Sequence, residues 1–203
     1  MNFDTYKTIA LPSQGIYKEK GSRFVSYAFP VYYQEEIKPI LDKIRKEHHE
    51  ARHHCFAYML GQERVTWRVN DDGEPSGTAG RPILGQINSY ELTNIIIIVC
   101  RYFGGTLLGV SGLINAYRSA SRDALLNAEL TEKTVNEYYE VSFPYIYMND
   151  VMRIFKEENI GQAEQSFEIE CRILINFRVS VKEKVTKRLE RIDGLKYRYI
   201  ETR

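Results

Sequence analysis

Over residues 16 to 33 the alternation of apolar and polar positions reads as two strands about the turn Lys20-Gly21-Ser22, the second running Phe24-Val25-Ser26-Tyr27-Ala28-Phe29. Ile37, Ile40, Leu41 and Ile44 then recur at helical spacing, which predicts a helix to about Glu47 with Pro39 in its first turn. His53 to Leu60 and Arg64 to Val69 read as strands about Gly61-Gln62-Glu63. Val65, Trp67 and Val69 alternate with Arg64, Thr66 and Arg68, so a half-buried hairpin is expected. Ala79 to Asn88 predicts a short helix capped by Ser76 or Thr78, with Pro82 in its first turn. Ile95 to Phe103 is apolar on both faces until Arg101, the mark of a central strand covered on both sides. Leu113, Ala116, Tyr117, Ala120, Ala124, Leu125 and Ala128 then define a long helix over Ser111 to Ala128.

From Glu132 the pattern restarts: strand 133 to 145, helix 148 to 159, strands 163 to 170 and 172 to 179, helix 181 to 192, strand 195 to 202. This is the βαββαβ order of a ferredoxin-like fold. The fold class expected is therefore α+β in two domains, 1–130 and 131–203, joined by a short linker, because no Gly/Ser/Pro-rich stretch separates them. Arg172, Asn176 and Arg178 alternate with apolar positions, as do Lys196 and Arg198 on the last strand, so the second sheet presents either a basic face or an ordinary solvated one.

Composition changes this picture little. The 203 residues carry 28 Lys+Arg against 27 Asp+Glu, a balance that implies no strong nonspecific attraction to nucleic acid but leaves local basic faces open. Cys55, Cys100 and Cys171 are odd in number, lack C-x-x-C spacing and fall in strand-like runs, so buried free thiols are expected. The N-terminal residues have no signal-peptide pattern, and the apolar run Ile95 to Cys100 is too short to span a bilayer; a cytosolic protein without a membrane partner is expected.

The chemistry concentrates in three stretches. Asn70 to Pro82 holds Asp71, Asp72 and Glu74 among three glycines and two prolines, a loop that cannot be buried without paired charges. Those acids either hold Mg²⁺, or accept bonds from loop N–H groups and pair with Arg68 and Arg81; the spacing is not that of a calcium loop, and the second reading is taken, with no metal. Gly104-x-x-x-x-Gly109 lies between strand and helix like a phosphate-binding loop, but Val110-Ser111 stands where Lys-Ser/Thr belongs, which disfavours an NTPase. Gly104, Gly105 and Gly109 serve either a tight turn and close helix approach, or an anion whose charge Arg101 would balance. In Arg52-His53-His54-Cys55, His53 and Cys55 share one strand face and His54 the other; a Cys/His nucleophile pair lacks a third orienting group, and no hydrolase motif or cofactor motif occurs.

Arg52-His53-His54-Cys55, the acidic glycine loop and Arg101-Tyr102-Phe103-Gly104-Gly105, in that order, resemble the Impact family over roughly residues 15 to 130, and the remainder resembles the small domain that its bacterial, YigZ-type members append. The resemblance implies a first domain with the α/β sandwich topology of the second domain of a small-subunit ribosomal protein, and a second domain similar to others of the translocating elongation factor. It also implies a stress-linked role in translation, since eukaryotic members regulate initiation through an additional N-terminal module. With its first strand expected near residue 15, this chain is expected to leave no room for that module.

The leading reading is a noncatalytic, translation-associated regulator that binds RNA or a ribosomal surface, with a translation factor as a possible protein partner and no cofactor. An enzyme acting on a phosphorylated or nucleotide ligand, and a protein-interaction module, are the alternatives. The binding residues proposed are His53, His54, Asp71, Asp72, Glu74, Arg81, Arg101, Tyr102, Gly104, Gly105, Gly109 and Ser111, and none is assigned a catalytic role. The Asp71 to Arg81 and Tyr102 to Gly112 loops are expected side by side at one end of the first sheet.

Overall fold

A computed structural model of the chain describes residues 4–203. These form two compact units, Tyr6–Lys133 and a second made of residues 4–5 with Thr134–Arg203. The strands β1 (Thr5–Ile9), β2 (Ser13–Glu19), β3 (Ser22–Pro30), β4 (His53–Leu60), β5 (Thr66–Asn70), β6 (Ile95–Tyr102) and β7 (Leu130–Thr134) are interspersed with the helices α1 (Ile37–Glu47), α2 (Gly80–Ser89) and α3 (Gly109–Leu126).

Four successive isoleucines followed by Val99 and Cys100 leave β6 without a polar face, and it occupies the centre of a five-stranded antiparallel sheet of order β2-β3-β6-β4-β5. Ile95, Ile97 and Val99 face α2 and α3, where they pack with Phe24, Cys55, Ala57, Ile83, Ile87 and Tyr117. Ile96, Ile98 and Cys100 face the other way, onto Ile37, Leu41 and Ile44 of α1. Every residue from Ile95 to Cys100 is inaccessible to solvent, which is why this segment tolerates no alternation. Helix α3 lies so close to β2 that a Cβ at Gly15 would sit 2.3 Å from the Ala124 amide nitrogen. The approach is fixed by hydrogen bonds from Ser13 Oγ to the Ala124 carbonyl, from the Ile16 N–H to Asp123 Oδ2 and from buried Ser26 Oγ to the Ala120 carbonyl.

The first unit departs from the sequence expectation in two places. Its first strand is β1, ten residues earlier than the expected start near residue 15, and it pairs with β7 in a separate two-stranded sheet. The pattern was weak because β1 is only five residues long and one of its inward residues is Thr8, whose hydroxyl donates to the Asn94 carbonyl. The β4–β5 hairpin is not half-buried on its outer strand either: Val65 is 72% and Trp67 54% exposed, since β5 is an edge strand and α2 covers only its far end.

The second unit contains β8 (Asn136–Pro144), α4 (Met148–Glu157), β9 (Gly161–Ser166), β10 (Glu170–Arg178), α5 (Lys182–Leu189) and β11 (Lys196–Thr202), the βαββαβ order, in an antiparallel sheet of order β11-β8-β10-β9. Tyr139, Val141 and Phe143 alternate inward on β8 and pack with Ile173 and Ile175 of β10, Val151 and Phe155 of α4, and Val185 and Leu189 of α5. The strand expected at 163 to 170 ends at Ser166, and the apolar Phe167 and Ile169 that suggested its continuation stand exposed in the turn. The outer face is not a basic surface: Arg172 pairs with Glu170, Arg178 with Asp4 and Arg198 with Glu140.

Cys55, Cys100 and Cys171 are free and buried. Burial pushes the Cys100 thiol up to about 12 and raises that of Cys55 further, so neither is ionised near neutrality. No helix among the described residues is long and apolar enough to cross a membrane.

Two glycine substitutions separate close packing from helix propensity. Gly15→Ala should lower stability by at least about 1–3 kcal/mol, because its methyl group meets the backbone of α3. Gly85→Ala, at a helical position with open space around it, should raise stability by about 1 kcal/mol. Urea unfolding of both variants against the parent chain measures the contrast.

Candidate functional site

The three acids after β5 take three different partners. Asp71 Oδ1 accepts the Ala79 and Gly80 N–H groups at 3.0 and 2.8 Å, and Oδ2 accepts the Gly77 N–H at 2.9 Å. It thereby satisfies the start of α2 from several residues upstream, in place of the expected Ser76 or Thr78; the Thr78 hydroxyl donates to the Pro75 carbonyl. Asp72 Oδ2 accepts the His54 N–H at 2.6 Å, and its other oxygen lies 3.5 Å from Arg45. Glu74 turns inward. The reading that these acids bind loop N–H groups holds for Asp71, whereas the arginines that pair with Asp72 and Glu74 are Arg45 and Arg101, not Arg68 and Arg81. Among the described residues no cluster of His, Cys, Asp and Glu could hold a metal ion.

Buried Glu74 Oε1 accepts Arg101 Nη1 at 2.6 Å and Tyr117 Oη at 2.7 Å. Arg101 is therefore neutralised in the core instead of being free beside the glycine loop. Its guanidinium carbon lies 5.5 and 5.7 Å from the ring centres of Phe24 and Phe103, and its Nε has no hydrogen-bond partner. His53 Nδ1 is 2.8 Å from the Asp72 carbonyl, which can only accept; Nδ1 must carry the proton, leaving Nε2 bare in the neutral ring, 3.9 Å from Glu74 Oε1. On the same strand face the Cys55 thiol lies 3.0 Å from the Asp71 carbonyl and 3.3 Å from Tyr117 Oη, a structural position for a sulfur that burial keeps protonated.

His53, Glu74 and Arg101 open onto a cleft of about 370 Å³ whose other walls are Arg52, Pro75, Phe103, Leu107, Leu108, Gly109, Val110 and Leu113. The acidic and glycine loops thus meet at one end of the sheet. Gly104 is required by close approach, since a Cβ there would lie 1.9 Å from the Gly21 carbonyl carbon, and Gly105 and Gly109 have φ of 85° and 70°. Helix α3 then begins with no side chain capping its first turn.

Of the twelve residues singled out from sequence, the cleft gathers His53, Glu74, Arg101 and Gly109. Gly104 and Gly105 shape the turn, and Ser111 lies exposed in the first turn of α3. Asp71, Asp72 and His54 hold the loop in place behind it, the last through its N–H to Asp72, while its Nε2 donates to the His48 carbonyl. Tyr102 faces the opposite side of the sheet, where its hydroxyl meets His48 Nδ1 at 2.7 Å while Tyr27 meets Nε2 at 2.7 Å. Arg81 is exposed on α2, outside the cleft. Sequence reasoning passed over Arg52, although it opens the histidine motif, and over Tyr117, which helical spacing marks only as core.

Residues 20–125 match the family profile of the Impact N-terminal domain. The chain is 36% identical over 157 residues to the Impact family member YigZ of Escherichia coli, covering 76% of this chain and 74% of that protein. It is 32% identical over 165 residues to YvyE of Bacillus subtilis, covering 81% and 74%. A crystal structure of a hypothetical protein superposes over 98% of both chains with a TM-score of 0.75 at 26% identity. The chain belongs to the Impact family.

Arg101→Met, which strands the Glu74 carboxylate, should cost about 3–5 kcal/mol. Adding Glu74→Gln should recover part of that loss, and a double-mutant cycle in urea reads the coupling. His48 supplies a pH signature. Burial holds it below the ordinary imidazole value, so the unfolded chain takes up its proton first. The stability it contributes is present above about pH 6.5 and lost as pH falls through its lower folded value. Stability measured from pH 7 to 5 should therefore decline less steeply in His48→Gln.

Proposed function

We propose that this chain is a cytoplasmic, translation-associated regulatory protein that binds structured RNA, free or on a ribosomal surface, without catalysis. Membership of the Impact family supports the translation context. The observation that carries the RNA contact is a group of cations at the outer side of the glycine loop. Lys18, Lys20 and Arg23 line a hollow with Gly21, Ser22, Tyr102 and one acid, Glu19, whose carboxylate accepts the Tyr17 hydroxyl, and Arg23 stacks 4.3 Å from the Tyr102 ring centre. None of the three has a carboxylate partner among the described residues, in contrast to the paired arginines of the second unit.

A stacked guanidinium is held in place while its N–H edges remain free for phosphate, and unpaired lysines release condensed counterions when they meet one. A local group of this kind can act in a chain whose total charge is near zero, because beyond about 8 Å at physiological salt distant charges are screened. The division of labour proposed gives residues 1–130 the RNA contact and leaves residues 131–203 a separable accessory that guides partner choice, a translation factor among the candidates.

In the triple variant Lys18→Gln, Lys20→Gln, Arg23→Gln, the dependence of log binding constant on log salt for ribosomal RNA or ribosomes should flatten by about 2–3. Filter binding and ribosome co-sedimentation across a salt series measure this. Unchanged affinity and slope in the triple variant would remove this surface, and absence of binding at every salt would remove the function.

A further inference from the structure

The cleft on the inner side of the glycine loop has a different chemistry from the cationic hollow. We propose that it is a pocket for one phosphorylated ribonucleotide, with the phosphoryl group between Arg52 and the first turn of α3 and the base against Phe103, Leu107 and Val110. This inference rests on the RNA reading and deepens it.

Size limits the occupant. At about 370 Å³ the cleft falls near the lower end of the roughly 300–1,000 Å³ range of small-molecule pockets, which suits one nucleotide and excludes a duplex. Charge selects its polar end. Glu74 is already matched by Arg101 and Tyr117, so its negative charge is spent inside the chain, while Arg52 has no carboxylate partner among the described residues. The open N-terminus of the 18-residue helix α3 adds uncapped N–H groups at Gly109 and Val110, both in the cleft wall.

A second observation, independent of the helix, points the same way. The Arg101 side chain is only 7% exposed and lines the cleft, yet the chain supplies it one acceptor, Glu74 Oε1, and leaves Nε without any. A buried donor without an acceptor is costly and uncommon in a folded chain, and an anion in the cleft would lie beside the guanidinium that carries it. The apolar rim completes the match. Leu107 is 83% and Val110 60% exposed, and neither has a cover within its own unit, so a planar base can bury area there that the chain leaves open. His53 adds the polar discrimination: with Nδ1–H committed to the Asp72 carbonyl, Nε2 of the neutral ring is an acceptor, which suits the hydroxyl of a ribose.

A free mononucleotide and the 5′ end of an RNA chain share this chemistry, a phosphomonoester on a ribonucleoside. Calorimetric titration of the full chain with AMP, adenosine and inorganic phosphate tests the pocket, and a 5′-phosphorylated RNA oligomer against its 5′-hydroxyl twin separates the sources. AMP should bind about tenfold or more tightly than either fragment. Val110→Asp removes part of the apolar wall for the base and sets a carboxylate in the first turn of α3, where it repels the phosphate, and because an acid in the first turn favours the helix it should leave the fold intact. That variant and Arg52→Gln should each weaken AMP about tenfold or more. A preference for the 5′-phosphorylated oligomer assigns the pocket to RNA ends, and AMP binding without that preference assigns it to free nucleotides. No binding of AMP or 5′-phosphorylated RNA at millimolar concentration, or binding indifferent to both substitutions, overturns the pocket. RNA binding that is lost in the Lys18/Lys20/Arg23 variant yet unchanged in Val110→Asp overturns the pocket and leaves the RNA reading standing, whereas AMP binding in a chain that binds no RNA does the reverse.

Discussion

One carboxylate oxygen, Glu74 Oε1, ties together the three parts of the first unit that would otherwise be independent. Arg101 comes from the end of the central strand, Tyr117 from the middle of α3, and Glu74 itself from the acidic loop between β5 and α2. Each is a polar group that would be penalised if buried alone, so each requires the other two. The loop is consequently drawn over the sheet end, and the His53 ring and Cys55 thiol beneath it are held by the carbonyls of Asp72 and Asp71. Burial of Tyr117 and its bonding to Glu74 and Cys55 raise its hydroxyl far above the ordinary phenol range, so it acts here as a fixed donor and not as an acid.

This anchoring commits the carboxylates of the acidic loop to groups of the chain itself. Its carboxylates are consumed one by one, Asp71 by the N–H groups at the start of α2, Asp72 by β4 and Arg45, and Glu74 by the core. What remains available is on the glycine-loop side, where Gly104 lets the chain press against Gly21 and so divides the surface in two. Outside lie the unpaired cations stacked on or near Tyr102; inside lies the cleft with Arg52, His53 and an apolar rim. The same structural glycines thus create both surfaces without contacting a ligand themselves.

The second unit follows simpler rules. Strict alternation on β8 and β10 sends one set of residues into a core beneath α4 and α5, and the other set into a surface where Arg172 pairs with Glu170 along β10 and Arg198 with Glu140 across to β8. Most of the charges on that sheet face therefore cancel locally, whereas Lys18, Lys20 and Arg23 of the first unit are grouped without a carboxylate partner among the described residues.

Much of this fold was legible because periodicity depends only on local geometry. A run of six buried apolar residues has to be a central strand, and apolar residues at helical spacing on α1 and α3 have to face a sheet. The glycine-rich stretch likewise announced a tight approach, and the histidine and acidic motifs announced a site. Their roles were not legible, since the sequence places Glu74, Arg101 and Tyr117 on three separate segments with no local sign that they converge. Nor does spacing reveal that the cap of α2 is Asp71 or that Trp67 lies on an edge strand, because capping at a distance and strand order are set by what packs beside what. Sequence alone determined which residues must be buried and which segments must be helix or strand; only the tertiary structure decided which charges cancel and which stay free, because a charge is neutralised by proximity in space, whatever its place along the chain.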